Sequence, residues 1–169
     1  MKLNSKEIDA LKKHFKDKKN RDNPELELLY IKLEEDKKIT LYIDGAADLH
    51  SKTAGIGGVI YNSDEEIFSF SEYLHDSTNN EAEYGALIAG LKYLIKLNLL
   101  NPTIYSDSEL VVKQVNGEYR VKNDRMIALY NEVIHLLSSF NSWSIIHVLR
   151  DKNMVADKLA TEGRKKVNI

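Results

Sequence analysis

The sequence predicts an α/β fold in which a mixed β-sheet is covered by helices. Three β-rich segments follow residue 38, and short polar turns join them as in an antiparallel meander. An amphipathic helix then leads to a fourth apolar segment, which a right-handed crossover would place parallel to the first strand. The full order of elements, βββαβααβα, is typical of a mixed sheet with helical layers.

Residues 1–38 are predicted to form a separate helical extension. A first helix is expected over residues 5–18 with Ser5 as its cap, and a second helix is expected to begin at Pro24 with Asn23 as its N-cap. The extension carries few aromatic residues. Its role is open between packing on the core, association and contact with nucleic acid, and we favour packing or association.

Charge is distributed unevenly along the chain, although the formal net charge is only −2. Lys and Arg outnumber Asp and Glu in residues 1–21, whereas the acidic residues prevail from residue 39 onward. The basic run is interpreted as a solvated surface, with nucleic-acid contact as the alternative.

Residues 39–169 are predicted to form the main domain. A capping box, Thr78 with Glu81, sets the start of the long helix. The expected elements, in order, are the strands ITLYIDGAA, AGIGGVIYN and IFSFSEYL, a helix over 79–97, the strand PTIYSD, helices over 108–116 and 124–139, the strand WSIIHVLR, and a helix over 153–166.

Composition limits the kind of protein and the kind of site. The 169 residues are 43% hydrophobic, which is enough for a folded core. The chain has no Cys, so disulfides and thiolate metal sites are excluded, and any metal must be held by oxygen or imidazole. No segment reads as a signal peptide or membrane span, so we expect a cytoplasmic protein without membrane contact.

Four carboxylates fall where the predicted elements converge. Asp44 and Asp107 end the first and fourth strands, which the crossover places side by side. Glu83 lies early in the long helix, on the stripe that carries Leu87 and other apolar residues. Asp157 lies early in the last helix, in which Val155 is expected to face inward. All four can therefore reach the same edge of the sheet.

Each acid alone has a structural explanation, as a turn residue, a cap or a favourable charge at a helix N-terminus. Together they would repel one another and take up protons unless a cation lay between them. Ligation by oxygen alone suits Mg²⁺ or Mn²⁺, which leave coordination positions for water and phosphate. The pattern therefore favours a divalent-metal site.

The same residues resemble a known family. Four segments, YIDGAA, TNNEAEYGALIAGL, IYSDSELVVKQVNGEY and HVLRDKNMVADKLA, are similar in order and spacing to the four acidic motifs of type 1 ribonuclease H. The resemblance covers residues 39–166. It implies a ribonuclease H-like five-stranded sheet of order 3-2-1-4-5, and it places Asp44, Glu83, Asp107 and Asp157 at the catalytic, metal-binding positions.

The resemblance also implies an activity. Members cleave the RNA strand of an RNA/DNA hybrid with two Mg²⁺ or Mn²⁺ ions, leaving 5′-phosphate and 3′-hydroxyl ends. Selection of RNA requires a contact to the 2′-hydroxyl. The candidates are Asn79, Asn80 and backbone amides near Gly45, although both Asn side chains could instead cap the helix. A monomer is favoured.

The chain departs from many bacterial members in two places. His147 lies within a predicted strand rather than in a mobile loop, so we assign it packing or an internal hydrogen bond, and Arg150 is the candidate phosphate contact. The basic protrusion that those longer bacterial members carry is absent. Lys113, Arg120 and Lys122 could replace it in part or form a solvated face. This favours the compact, archaeal-like subgroup, some of whose members also accept double-stranded RNA.

Three functions remain open from the sequence. The first is the metal-dependent endoribonuclease just described. The second is a nucleic-acid binding module that keeps the fold without catalysis, which the presence of all four acids argues against. The third is a nuclease for another substrate, such as structured DNA, since a fold does not fix a function.

Overall fold

The computed structural model describes residues 3–35 and 38–166, which fall into two compact units divided between residues 37 and 38. The first unit contains two helices that contact each other, α1 (Ser5–Phe15) and α2 (Pro24–Glu35). Whether the two units act as the predicted extension and catalytic domain stays a prediction.

The first helix starts at Ser5, as predicted, but its N-cap and its end differ from the prediction. Asn4, not Ser5, is its N-cap, because the Asn4 side chain accepts from the Glu7 amide while Glu7 accepts from the Asn4 amide. The helix ends at Phe15 because Asp17 accepts a hydrogen bond from the Lys19 amide and starts a short 3₁₀ turn. The second helix begins at Pro24, as predicted.

The second unit is built on one five-stranded sheet. Its strands are β1 (Ile39–Asp48), β2 (Thr53–Asn62), β3 (Glu65–Leu74), β4 (Thr103–Ser106) and β5 (Ser144–His147). The order across the sheet is β3-β2-β1-β4-β5, with β1–β2 and β2–β3 antiparallel and β1–β4 and β4–β5 parallel. The predicted mixed sheet and its order are confirmed.

Four helices flank this sheet: α3 (Asn79–Lys96), α4 (Glu109–Val115), α5 (Asp124–Leu137) and α6 (Met154–Arg164). The chief contacts of α3 are with β1 and α5, and α6 contacts β1, β2 and β3. Tyr84 of α3 is fully buried and donates a 2.7 Å hydrogen bond to the Gln114 side chain of α4. The apolar core therefore contains a satisfied polar link between two helices.

Two glycines allow α3 and α6 to lie directly on the strands. A Cβ atom at Gly45 would come within 2.3 Å of the Ala82 carbonyl carbon in α3, and one at Gly57 within 2.3 Å of the Ala160 nitrogen in α6. Gly57 pairs with Asp44, the neighbour of Gly45 along β1. Because successive residues of a strand face opposite sides, α3 and α6 cover opposite faces of the sheet.

Two sequence expectations near the C-terminus are wrong. The last strand ends at His147 rather than Arg150, because its partner β4 ends at Ser106, whose carbonyl accepts one further hydrogen bond from the Val148 amide. Val155 was expected to face inward but is 49% exposed, whereas Ala156 and Ala160 are buried. The small residues of α6 face the sheet because the close approach leaves no room for larger side chains.

None of the helices in residues 3–35 and 38–166 combines the length and apolar character that a membrane span requires. The expected cytoplasmic location stays a prediction.

Candidate active site

The site lies where β1 extends beyond its parallel neighbour. Pairing with β4 ends at Ile43, whereas β1 continues to Asp48. Beyond this point the Gly45 amide donates to Glu83 Oε2 at 3.2 Å, and the Ala47 amide donates to Asn79 Oδ1 at 2.9 Å. Side chains of α3 thus take the place of the missing strand, and they hold Glu83 beside the end of β1.

The start of α3 is fixed by the predicted capping box. Thr78 accepts a hydrogen bond from the Glu81 amide, and Glu81 accepts one from the Thr78 amide. Glu81 also accepts from Arg125 of α5 at 3.1 Å. Glu81 is therefore occupied by structural contacts, while Glu83 is left to face the sheet edge.

Three of the four predicted acids meet at this edge. Asp44, Glu83 and Asp107 each offer a carboxylate oxygen, and these oxygens lie within 4.8 Å of one another. Asp44 is only 5% exposed. Asp107 directly follows the last residue of β4, so the parallel pairing of β1 and β4 brings it beside Asp44.

Asp157 completes the group from the first turn of α6. It lines the same depression as the other three acids, and its proximity is one of the causes that raise the pKa of Asp44. Its Oδ1 also accepts a 3.1 Å bond from Arg150, whose side chain is 80% exposed. Asp157 therefore has a salt-bridge partner, whereas no salt bridge of Asp44, Glu83 or Asp107 is seen within residues 3–35 and 38–166.

The clustered acids are strongly perturbed. Burial, reinforced by the charge of Asp107, raises the pKa of Asp44 to about 8. Burial, reinforced by the charge of Asp44, raises the pKa of Glu83 to about 9. Both carboxyl groups thus favour the protonated form at neutral pH, and only a strong positive charge would keep them ionised together. This all-oxygen donor set fits a divalent cation.

Asn153 is a site residue that the sequence reasoning missed. It is 1% exposed, and its Nδ2 donates at 2.8 Å to the carbonyl of Ile43, the residue before Asp44. An Asn at a helix start normally indicates an N-cap, but this side chain makes no capping bond. Its contact joins residues 110 positions apart, so no local pattern reveals it.

The three groups that were predicted to contact a 2′-hydroxyl differ in the hydrogen bonds they already make. The side-chain oxygen of Asn79 accepts from Ala47, and the amide of Gly45 is bound to Glu83. Asn80 is exposed and is not the N-cap of α3, because Thr78 takes that role. Asn80 is therefore the candidate whose side chain makes no hydrogen bond to another described residue.

The three residues that were expected to replace the basic protrusion do not form one group. Arg120 and Lys122 line a depression of about 430 Å³ together with Asn80 and Arg125. Lys113 does not line it: its ammonium pairs with Glu109 at 2.8 Å and lies 4.8 Å from the ring centre of Tyr119. The structure thus brings Arg120 and Lys122 beside the start of α3, and leaves Lys113 on α4.

His147 and Arg150 both line the carboxylate depression. His147 is the last residue of β5, and its Nε2 lies 3.3 Å from the Asp107 carbonyl oxygen, consistent with the expected internal hydrogen bond. Arg150 begins a short 3₁₀ turn and contacts Asp157. Its predicted contact with a phosphate stays a prediction.

Comparison with known proteins agrees with this geometry. The sequence profile of the reverse transcriptase-like family matches residues 42–163. The chain belongs to this family. Ribonuclease HI of Halobacterium salinarum is 33% identical over 127 residues, which cover 75% of this chain and 64% of that protein. The bifunctional protein Rv2228c of Mycobacterium tuberculosis is 33% identical over 128 residues, covering 75% of this chain and 35% of that protein. The chain thus spans less than two thirds of the length of these curated relatives.

Solved structures give the same result. LC11-RNase H1, isolated from compost, was crystallised with an RNA/DNA hybrid, and it matches with a TM-score of 0.72 and 32% identity. The match covers 76% of this chain and 98% of that one. The resemblance to type 1 ribonuclease H is therefore confirmed, together with the ribonuclease H fold.

Proposed function

We propose that this chain is a divalent-metal-dependent endoribonuclease that hydrolyses the RNA strand of RNA/DNA hybrids. The observation that carries the proposal is the meeting of Asp44, Glu83 and Asp107 within 4.8 Å at the edge of a ribonuclease H fold. Burying two acids whose ionised forms are disfavoured does not stabilise the fold. It is useful where a cation must be held beside a phosphodiester.

The four acids would share the cations between them. Asp44, Glu83 and Asp107, which lie closest together, would hold them with Asp157 beside them. When bound, a pair of Mg²⁺ or Mn²⁺ ions supplies an activated water and stabilises the leaving oxygen, which gives 5′-phosphate and 3′-hydroxyl ends. Asn153 holds the β1 carbonyl next to Asp44, and thereby fixes the position of the central acid.

Neighbouring residues would position the hybrid. Asn80, Arg120 and Lys122 surround one depression beside the start of α3, where two cations and an amide suit backbone phosphates and sugar oxygens. A 2′-hydroxyl contact from Asn80 would select the RNA strand. The Arg150 side chain is exposed, so its guanidinium could leave Asp157 and contact a phosphate of the substrate.

Replacing one acid by its amide tests the proposed mechanism. Asp107→Asn keeps the size of the side chain but removes a charge from the cluster, so we expect cleavage to fall by about a hundredfold or more, since metal-ligand loss removes several kcal/mol of transition-state stabilisation. Hybrid binding, measured by fluorescence anisotropy in Ca²⁺, should remain. Asp9→Asn, on the exposed surface of α1, is the matched control. Undiminished cleavage by Asp107→Asn would exclude the assigned site.

A substrate comparison separates the remaining functions. RNA/DNA hybrid, double-stranded RNA and duplex DNA would be digested side by side with Mg²⁺ and with Mn²⁺. We expect the hybrid to be cleaved fastest, double-stranded RNA more slowly and DNA not at all. Binding without cleavage of any substrate would instead support a non-catalytic module, and cleavage of duplex DNA would support a nuclease of different specificity.

A further inference from the structure

A second cleft lies on the same face of the sheet as Asp44, on the other side of the segment 150–157. Its volume is about 710 Å³, a size typical of ligand sites. Its floor includes Tyr42 of β1, Tyr61 of β2 and Tyr105 of β4, and its wall is formed by residues 151–156. We call it the tyrosine cleft.

The three tyrosines form an aromatic cluster. The rings of Tyr42 and Tyr105 stack with centroids 4.8 Å apart and planes inclined by 21°, and Tyr61 stands perpendicular to Tyr42 at 5.9 Å. All three side chains are half-buried, so they remain in part accessible to a ligand. Because the stacked rings of Tyr42 and Tyr105 cover each other's inner faces, an outer ring face is the surface on which the flat π-face of a base would stack.

Asn153 supplies a polar group in the wall of this cleft. Its side chain is 1% exposed, and its Nδ2 is already bound to the Ile43 carbonyl. Its Oδ1 is buried and has no hydrogen-bond partner among the residues that the structure describes. A buried acceptor of this kind normally has a donor, and a ligand with an N–H group would provide one.

The charges around the cleft argue against recognition of a polyanionic backbone. Lys38 and Lys152 line it together with Asp64 and Asp151, so two positive charges are balanced by two negative ones. A site that binds phosphates by charge has an excess of Lys and Arg. The tyrosine cleft suits a neutral, flat group with hydrogen-bond donors instead.

We propose that the tyrosine cleft binds an unpaired nucleobase in a single-stranded tail of the nucleic-acid substrate. The base would stack on the tyrosine rings and donate a hydrogen bond to Asn153 Oδ1. Tyr42 and Asp44 are two residues apart on one strand, so about 7 Å of backbone separates the cleft from the carboxylates. This inference rests on the proposed function, because it adds a tail-binding subsite to that substrate.

Binding without catalysis tests the subsite independently. Two labelled single-stranded DNA oligonucleotides of equal length, one with bases and one abasic, would be titrated with the full chain in EDTA. Because stacking of a base strengthens binding, the oligonucleotide with bases should bind roughly tenfold more tightly, which corresponds to about 1.4 kcal/mol. This ratio should be the same at low and high salt, because the charges of the cleft are balanced.

Variants assign the effect to the cleft. Tyr105→Leu and Tyr61→Leu remove an aromatic ring while keeping an apolar side chain, and each should reduce the ratio toward one. Tyr73→Leu, on β3 and outside the cleft, is the matched control and should keep it. In cleavage assays, a hybrid with a single-stranded tail should show a KM roughly tenfold below that of a blunt hybrid, with equal kcat.

Equal affinity for the two oligonucleotides would overturn the inference, as would a ratio unchanged in both Tyr105→Leu and Tyr61→Leu. Because the titrations contain no divalent metal, their outcome does not depend on cleavage. Failure of the proposed ribonuclease activity would appear only in the Asp107→Asn and substrate experiments. The two proposals are therefore tested separately.

Discussion

Asp44 and Glu83 are the two acids of this site whose ionisation is most disfavoured. Burial is the chief cause that raises the pKa of Asp44 to about 8 and the pKa of Glu83 to about 9. Arg150, which lines the same depression, contacts Asp157 instead, so Asp44 and Glu83 rely on protons or on a metal. A site of this kind exchanges protons for cations, and metal affinity should rise with pH.

Stability should therefore depend on pH when metal is absent. In the unfolded chain both acids ionise near pH 4, whereas in the folded chain they ionise at about pH 8 and about pH 9. The folded state binds more protons between these values, so its free energy of unfolding should decrease as pH rises from about 5 to about 8. Urea denaturation in EDTA at several pH values measures this slope.

Glu83→Gln is the variant that isolates this effect. It should flatten the decrease in unfolding free energy, since it removes one of the two perturbed groups. Excess Mg²⁺ should oppose the decrease in the parent chain. A slope that is identical in the parent and in Glu83→Gln would show that Glu83 ionises normally in the folded protein.

The hydrogen bond from the Gly45 amide gives Glu83 a structural role that can be tested separately from its negative charge. Glu83→Gln keeps an acceptor for the Gly45 amide, whereas Glu83→Ala leaves that amide without it, at a cost of about 1–3 kcal/mol. At low pH, where Glu83 is protonated, we expect Glu83→Gln to be close to the parent in stability and Glu83→Ala to be clearly less stable. Both should lose Mg²⁺ binding, measured by calorimetry. Equal stability of the two variants would contradict a structural role for this bond.

The position of α6 depends on the absence of side chains beneath it. Gly57→Ala would place a methyl group 2.3 Å from the Ala160 nitrogen, so the helix must move away from β2. We expect a loss of about 1–3 kcal/mol or more in urea denaturation, and a larger loss of cleavage than stability explains, because Asp157 moves with the helix.

Gly85→Ala is the matched control for this helix displacement. Its new methyl group would meet the Leu74 side chain at 3.1 Å rather than backbone, and the side chain can adjust. Alanine also favours a helix over glycine by about 1 kcal/mol. Gly85→Ala should therefore keep most of the stability and the activity. A Gly57→Ala variant as stable and active as Gly85→Ala would contradict the close-packing account.

The order of the elements could be predicted because each has a local signature. Periodicity gave the strands and helices, and the Thr78–Glu81 capping box located the start of α3. The end of β5 could not be predicted, because it depends on where β4 stops. Asn153 was missed for a related reason: its partner, the Ile43 carbonyl, is distant in sequence, and a local reading of an Asn at a helix start suggests a cap.

The candidate site was predictable in kind but not in detail. Strand ends and helix starts located four acids at one sheet edge, and the structure brings Asp44, Glu83 and Asp107 together there. The ion pair between Asp157 and Arg150 was not foreseen, because it depends on the 3₁₀ turn that follows β5. The separation of Lys113 from Arg120 likewise follows from local contacts with Glu109 and Tyr119.

At the scale of the whole chain, the second unit contains its own apolar core and all four acids. We expect a chain without residues 1–37 to fold and to cleave hybrid, with binding that is at most weaker or more sensitive to salt. Circular dichroism and anisotropy at several salt concentrations would check this. The truncation keeps Lys38, whose carbonyl accepts a 2.8 Å bond from the Ser63 amide. Failure to fold would show that the first unit belongs to the core.

The way in which α3 closes the end of β1 has a further consequence for solubility. The amides of Gly45 and Ala47 are engaged by Glu83 and Asn79 rather than by a strand. Removing both side chains would leave a row of open donors at a strand edge, and such an edge recruits strands from other molecules. The residues that serve the site therefore also protect the chain against aggregation.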